Sequence, residues 1–108
     1  MNTAQGTIHA GVCGFVTEVT ATCEDSQQVS FAIATPCEKI QQLAAALPVV
    51  DAYAELGNGF DGQIVAAARD CLPQCCCGCV VPAGLAKAMQ VAAGLALSQT
   101  VTMEFVKS

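Results

Sequence analysis

Period-two alternation marks the first third of the chain. In residues 15–23 the odd positions are Phe15, Thr17, Val19, Ala21 and Cys23, and the even ones Val16, Glu18, Thr20 and Thr22. In residues 28–34 Val29, Phe31 and Ile33 again take the odd phase. Side chains of a strand alternate between faces, so these runs predict two strands joined by the polar turn "EDSQ" at 24–27. Residues 7–12 also alternate, but Ile8, Ala10 and Val12 sit on the even phase. The phase flips across Cys13 and Gly14. A bulge or break there is expected, and it re-aims the Cys13 side chain.

After Thr35 the period lengthens. "TPCEKIQQLAAAL" reads as a helix start, with Thr35 as N-cap, Pro36 at the first helical position and Glu38 closing a capping box. Cys37, Ile40, Ala44 and Leu47 then share a face, with Leu43 beside them. Pro48 starts a second short helix that Gly57 ends. Asp61 can cap a third, in which Ile64, Ala68 and Cys71 share a face and which Pro73 stops. Pro82 opens a fourth helix to about Leu97, with Lys87, Gln90, Gly94 and Ser98 as a narrow polar stripe. "TVTMEFV" alternates once more and predicts a closing strand with Val101, Met103 and Phe105 inward. The expected fold is a two-layer α+β single domain over 1–108, order β-β-α-α-α-α-β. Its antiparallel sheet has about three strands, with helices on one face.

Composition narrows the function. The 108 residues are 54% hydrophobic and 12% charged, against a usual quarter charged. Such an apolar excess predicts a homo-oligomer or a protein partner. Net charge is −5 with four basic residues, which cannot build a phosphate-tracking surface, so no nucleic acid is expected. The same sign disfavours an anionic membrane surface. The apolar stretch 80–97 carries Lys87, and a central Lys costs roughly 2.5–3.5 kcal/mol on insertion scales. A buried helix, and no membrane, is the expectation. No basic region precedes an apolar run at the N-terminus, so a cytoplasmic, reducing location is expected. There, eight cysteines point to metal or thiol chemistry rather than to a disulfide framework.

Five of those cysteines fall within "CLPQCCCGC", residues 71–79. Cys76 and Cys79 form C-x-x-C, a common spacing for two thiolates on one zinc or one iron–sulfur cluster. Cys37 is expected inside the first turn of a helix and Cys79 three residues before Pro82. Free backbone amides at both places favour a thiolate. Cys13 lies at the predicted strand irregularity. The candidate cofactor ligands are therefore Cys13, Cys37, Cys79 and one of Cys75 or Cys76. As a metal set they read Cys13, Cys37, Cys76 and Cys79. Four thiolates suit zinc or a [4Fe–4S] cluster. A zinc ribbon would need a second C-x-x-C pair, which the chain lacks.

Plainer roles compete for each residue. Cysteine is a small hydrophobe that is often buried and inert, which fits Cys23 on the inward phase of its strand. Cys37 and Cys71 can be core filler or ligand. His9 sits on the polar phase of its run. Lys87 reads as part of a solvated stripe, and Asp51, Glu55 and Asp70 as solvated faces. No paired carboxylates, G-x-S-x-G or phosphate loop is present, and "GNGFDG" fits no nucleotide-binding pattern. A pair of His9 with Cys13 or Cys37 has no supporting signature, so no catalytic residues are assigned.

At "CGFVTEV", "PCEKIQQLA" and "CVVPAGLAKAMQVAAGLAL" the chain resembles a small cysteine-containing family of anaerobic bacteria and archaea with no established activity. The resemblance spans nearly the whole chain. It implies cysteine positions at Cys13, Cys37 and Cys79, and it tilts the reading towards oxygen-sensitive chemistry such as an iron–sulfur cluster. Three functions are carried forward. The first is a metal- or iron–sulfur-binding protein. The second is a thiol redox or sulfur-transfer protein using adjacent cysteines. The third is an interaction module whose cysteines are inert.

Overall fold

In the computed structural model, which describes residues 2–73, 75 and 77–107, the N-terminal alternation becomes three strands rather than two. They are β1 (Asn2–His9), β2 (Val16–Cys23) and β3 (Gln28–Ala34), followed by α1 (Glu38–Ala46), β4 (Val49–Asp51), α2 (Ala52–Asn58), α3 (Gln63–Cys71) and α4 (Val81–Ala92). The strands form one antiparallel sheet in the order β1-β2-β3-β4. The element order is thus β-β-β-α-β-α-α-α.

Strand phase sets the register. Ala4 pairs with Ala21 and Gly6 with Val19 on one side of β2; Ile33 pairs with Val19 and Phe31 with Ala21 on the other. These residues share the face covered by helices. Helix α4 crosses β1 and β2, α1 lies on β3, and α3 packs against α1 and α4. Leu43, Val29, Leu85, Met89 and Val50 are fully buried between the layers. Helix α4 approaches β1 closely at Gly84, where a Cβ would stand 2.4 Å from Ile8 Cδ1 and the Ile8 side chain would have to shift.

The expected break at Cys13 exists, but as the β1–β2 connection rather than a bulge within a strand. Residues Gly11–Cys13 make a 3-10 turn, and Gly11 and Gly14 both take positive φ (79° and 74°), where glycine avoids a Cβ clash. The polar turn at 24–27 is closed by Asp25, whose Oδ1 accepts from the Gln27 and Gln28 amides at 3.0 and 2.8 Å.

Four expectations need correction. Residues 49–51 form a short strand on the β3 edge, not helix. The β-branched pair Val49–Val50 suits an extended backbone, and Val50 is 1% exposed opposite Val29. Helix α1 begins one residue beyond Cys37: Cys37 is itself the N-cap, and Thr35 Oγ1 accepts the Cys37 amide at 3.2 Å instead of closing a capping box. Helix α4 ends at Ala92, with Gly94 (φ 77°) closing it as the left-handed residue of a Schellman turn: Leu95 N–H donates to Gln90 O and Gly94 N–H to Val91 O. The closing strand is absent: residues 99–107 make no ladder, and Val101, Met103 and Phe105 are 59%, 62% and 88% exposed.

Candidate thiolate site

Three separate parts of the chain bring cysteines to one place. Cys13 ends the 3-10 turn between β1 and β2. Cys37 caps α1. Cys75 and Cys79 belong to the connection between α3 and α4. All four line a single cleft of ≈ 590 Å³, together with Thr17, Lys39 and Phe15. Of the expected ligands, Cys13, Cys37, Cys75 and Cys79 thus border one cleft. Cys76, the other candidate for a fourth ligand, lies outside the described residues.

Polar contacts fix the walls of this cleft. Thr17 is 2% exposed on the inward phase of β2, and its hydroxyl donates to Thr35 Oγ1 at 2.9 Å. That same oxygen accepts the Cys37 amide, so a two-step relay from the sheet orients the α1 cap. Lys39 Nζ donates to the Pro73 carbonyl at 3.0 Å, tying α1 to the start of the cysteine loop. Cys75 N–H donates to Leu72 O at 3.3 Å, so the loop turns back directly after α3.

A second cleft, of ≈ 800 Å³, opens between α3 and α4 on the other side of the loop. Cys75 and Cys79 line both clefts; Cys77, exposed and at φ 52°, lines the second alone. Arg69 and Lys87 border it. Three of the four basic residues in a chain of net charge −5, namely Lys39, Arg69 and Lys87, thus flank the cysteine loop. The loop also sits between two helix N-termini, that of α1 at Cys37 and that of α4, which begins two residues after Cys79.

Thiolates on one tetrahedral ion lie about 3.8 Å apart when each metal–sulfur bond is about 2.3 Å. Among the described residues, no three His, Cys, Asp or Glu side chains are grouped closely enough to hold a single ion. The four cysteines are instead distributed around the lining of the smaller cleft.

The other candidates separate clearly. Cys23 is 2% exposed in the core, its thiol 4.0 Å from Asp25 Oδ1, as an inert filler would be. Cys71 is half-buried at the last residue of α3, against the core and lining neither cleft. His9 and Lys87 are exposed. Asp61 does not cap α3. Glu55, read as a solvated face, does so instead: it is buried, and its carboxylate accepts from Gln63 N at 2.7 Å and Ile64 N at 2.8 Å. Asp51, also read as solvated, caps α2 by accepting from Ala54 N at 3.0 Å. Spacing could have flagged Asp51, three residues before Ala54; nothing local flags Glu55, eight residues from its first partner.

Residues 4–105 match the model of DUF6951, a family of unknown function. The chain belongs to this family. No curated protein and no solved structure matches it. The DUF6951 match covers β1 from Ala4, every later element, the residues lining both clefts, and the segment beyond α4 as far as Phe105. No helix among the described residues is long and apolar enough to cross a membrane.

Proposed function

We propose that this protein binds an iron–sulfur cluster in the smaller cleft, with Cys13, Cys37, Cys79 and Cys75 as thiolate ligands. The observation that carries the reading is the convergence of four cysteines, separated by up to 66 positions in sequence (13 to 79), on one ≈ 590 Å³ space. A four-thiolate [4Fe–4S] centre carries about −2 in formal charge, which the two helix N-termini and Lys39 are placed to stabilise. That no three such side chains among the described residues are grouped closely enough for a single ion favours a multi-atom cluster over one zinc ion. A reducing, cytoplasmic setting goes with this reading. The cluster would supply one-electron chemistry or a labile iron site. The chain supplies the thiolates, their orientation through Thr17 and Thr35, and the surrounding positive charge.

Anaerobic reconstitution with iron and sulfide tests it. Stoichiometric iron and sulfide, with broad visible absorption lost in Cys13→Ser or Cys37→Ser but kept in Cys23→Ser, is the expected outcome. Colourless protein with no bound iron or zinc overturns it.

A second reading is favoured by Cys77 and Cys79 facing the larger cleft beside Lys87 and Arg69. These thiols could carry persulfide sulfur, with the cations offsetting its charge. Mass spectrometry after treatment with a persulfide donor decides this: added sulfur on Cys77 or Cys79 supports it, and unmodified thiols reject it.

A further inference from the structure

Among the described residues the C-terminal segment joins no ladder and one edge of the first strand is open, and the two fit one another. Residues 100–106 alternate Thr100, Thr102, Glu104 against Val101, Met103, Phe105, and β-branched and aromatic residues dominate. That is a strand pattern, yet Val101, Met103, Phe105 and Val106 are 59–91% exposed and make no ladder. Strand β1 pairs with β2 on one side, and among the described residues nothing pairs with its other edge. Its eight residues contain no Lys, Arg, Asp, Glu or Pro, the devices by which edge strands usually resist pairing.

Lengths and faces agree. As a strand, residues 100–106 would span ~23 Å, and β1 spans ~26 Å. The helix-covered face of β1 presents Ala4, Gly6 and Ile8, which are small or half-buried, so side chains the size of Met103 and Phe105 would extend the core under α4. The open face presents Thr3, Gln5 and Thr7, which would continue into Thr102 and Glu104. The segment departs from α4 at the Gly94 turn and is exposed throughout residues 94–107, in a molecule 45 Å long but 27 and 25 Å across. The family match runs through residue 105, so this segment belongs to the domain and is not an appendage.

We infer that the protein is a reciprocal strand-exchanged dimer, in which residues 100–106 of each copy pair with the β1 edge of a second copy of this chain. Two unpaired backbone rows become ladders, and the exposed apolar side chains of both tails are covered in one isologous arrangement. This inference is independent of the cluster reading.

The test is the mass of the full chain in solution under strong reductant, which removes disulfide dimers. Dimeric wild type, with a monomeric variant truncated after Leu97 and a monomeric Thr102→Pro/Met103→Pro variant, is expected. Adjacent prolines must remove one ladder donor whichever way the segment faces, and they leave the contacts of the folded core untouched. In a dimer of labelled and unlabelled copies, nuclear Overhauser contacts between residues 101–106 and 3–8 should arise between chains. A monomeric wild type, a dimer unaffected by truncation, or tail–β1 contacts confined within one chain would each overturn the inference.

Discussion

Truncating Glu55 to alanine should be among the most damaging single changes outside the apolar core. Helix α3 begins at Gln63 with no cap of its own: Gly62 precedes it and has no side chain to offer. Glu55 supplies both acceptors, at 2.7 and 2.8 Å, from a position 8% exposed. Hydrogen bonds to a charged group are worth about 1.5–3 kcal/mol each. The Ile64 bond is buried, so its amide would be left without water. The Gln63 amide is nearer solvent and would recover part of its loss. The expected cost is therefore about 2–4 kcal/mol, the lower end of two charged bonds, and it should lower the melting temperature by about 10–25 °C. Glu55→Gln keeps one acceptor and should fall between wild type and Glu55→Ala. Urea unfolding followed by circular dichroism gives the number: the midpoint should drop with unchanged slope. A loss below about 1 kcal/mol would show that α3 starts without this cap. Because α3 leads straight into Cys75, the same variant should also loosen the cysteine loop, read as faster thiol alkylation by mass spectrometry.

Three further outcomes follow from single contacts. Gly84→Ala places a Cβ 2.4 Å from Ile8 Cδ1 and should cost about 1–3 kcal/mol in a urea melt; Ile8→Ala in the same chain should recover part of that, making the pair non-additive. Thr17→Val keeps shape but removes the hydroxyl that donates to Thr35, so it should cost about 1 kcal/mol and raise the alkylation rate of Cys37; an unchanged rate would show that the relay does not orient the cap. The backbone amides of Gln28 and then Gln27 hold the Asp25 carboxyl below its usual 3.8, and the Ala54 amide followed by the Gln27 side chain does the same for Asp51. A lowered folded value means stability present above the unfolded value and lost as pH falls through the folded one. Urea midpoints should therefore decline below pH 3.8, and Asp25→Asn with Asp51→Asn should flatten that decline.

The legible part of this fold is the part with a strong local period. Strands β2 and β3, with odd residues inward, and α1, with Ile40, Leu43 and Leu47 buried, are where their alternation and spacing put them. Strand β1 was visible only from Thr7, because Asn2 to Gly6 has too few apolar side chains to show a phase; its pairing comes from β2. Strand β4 is three residues long and was masked by a proline that also suits a helix start. The Schellman turn at Gly94 was hidden because glycine there continues the helical polar stripe as well as ending it. Cys13, Cys37 and Cys79 stand out in the sequence because each is expected at an element end, and all three line the smaller cleft. The two clefts are not legible there, since a cleft depends on how α3, α4 and the sheet lie against each other, which no local pattern encodes.

That contrast explains why the cysteines sort as they do. A thiol in the middle of a strand, such as Cys23, points wherever the strand's phase sends it, here into the core. A thiol at a cap or a turn is released from that phase. Cys13, Cys37, Cys75 and Cys79 all occupy such positions, and three of them depend on specific anchors: the glycine turn at 11–14, the Thr17–Thr35 relay, and the Lys39 bond to Pro73. These anchors come from the sheet and from α1, not from the cysteine loop itself. The dense run at 71–79 therefore contributes one wall of the smaller cleft, and the sheet and α1 hold the opposite wall in place. It follows that variants at Thr17, Thr35 and Lys39, which carry no thiol, should change the alkylation rates of the cysteines lining the smaller cleft, read by mass spectrometry, whereas Cys71→Ser should leave those rates unchanged.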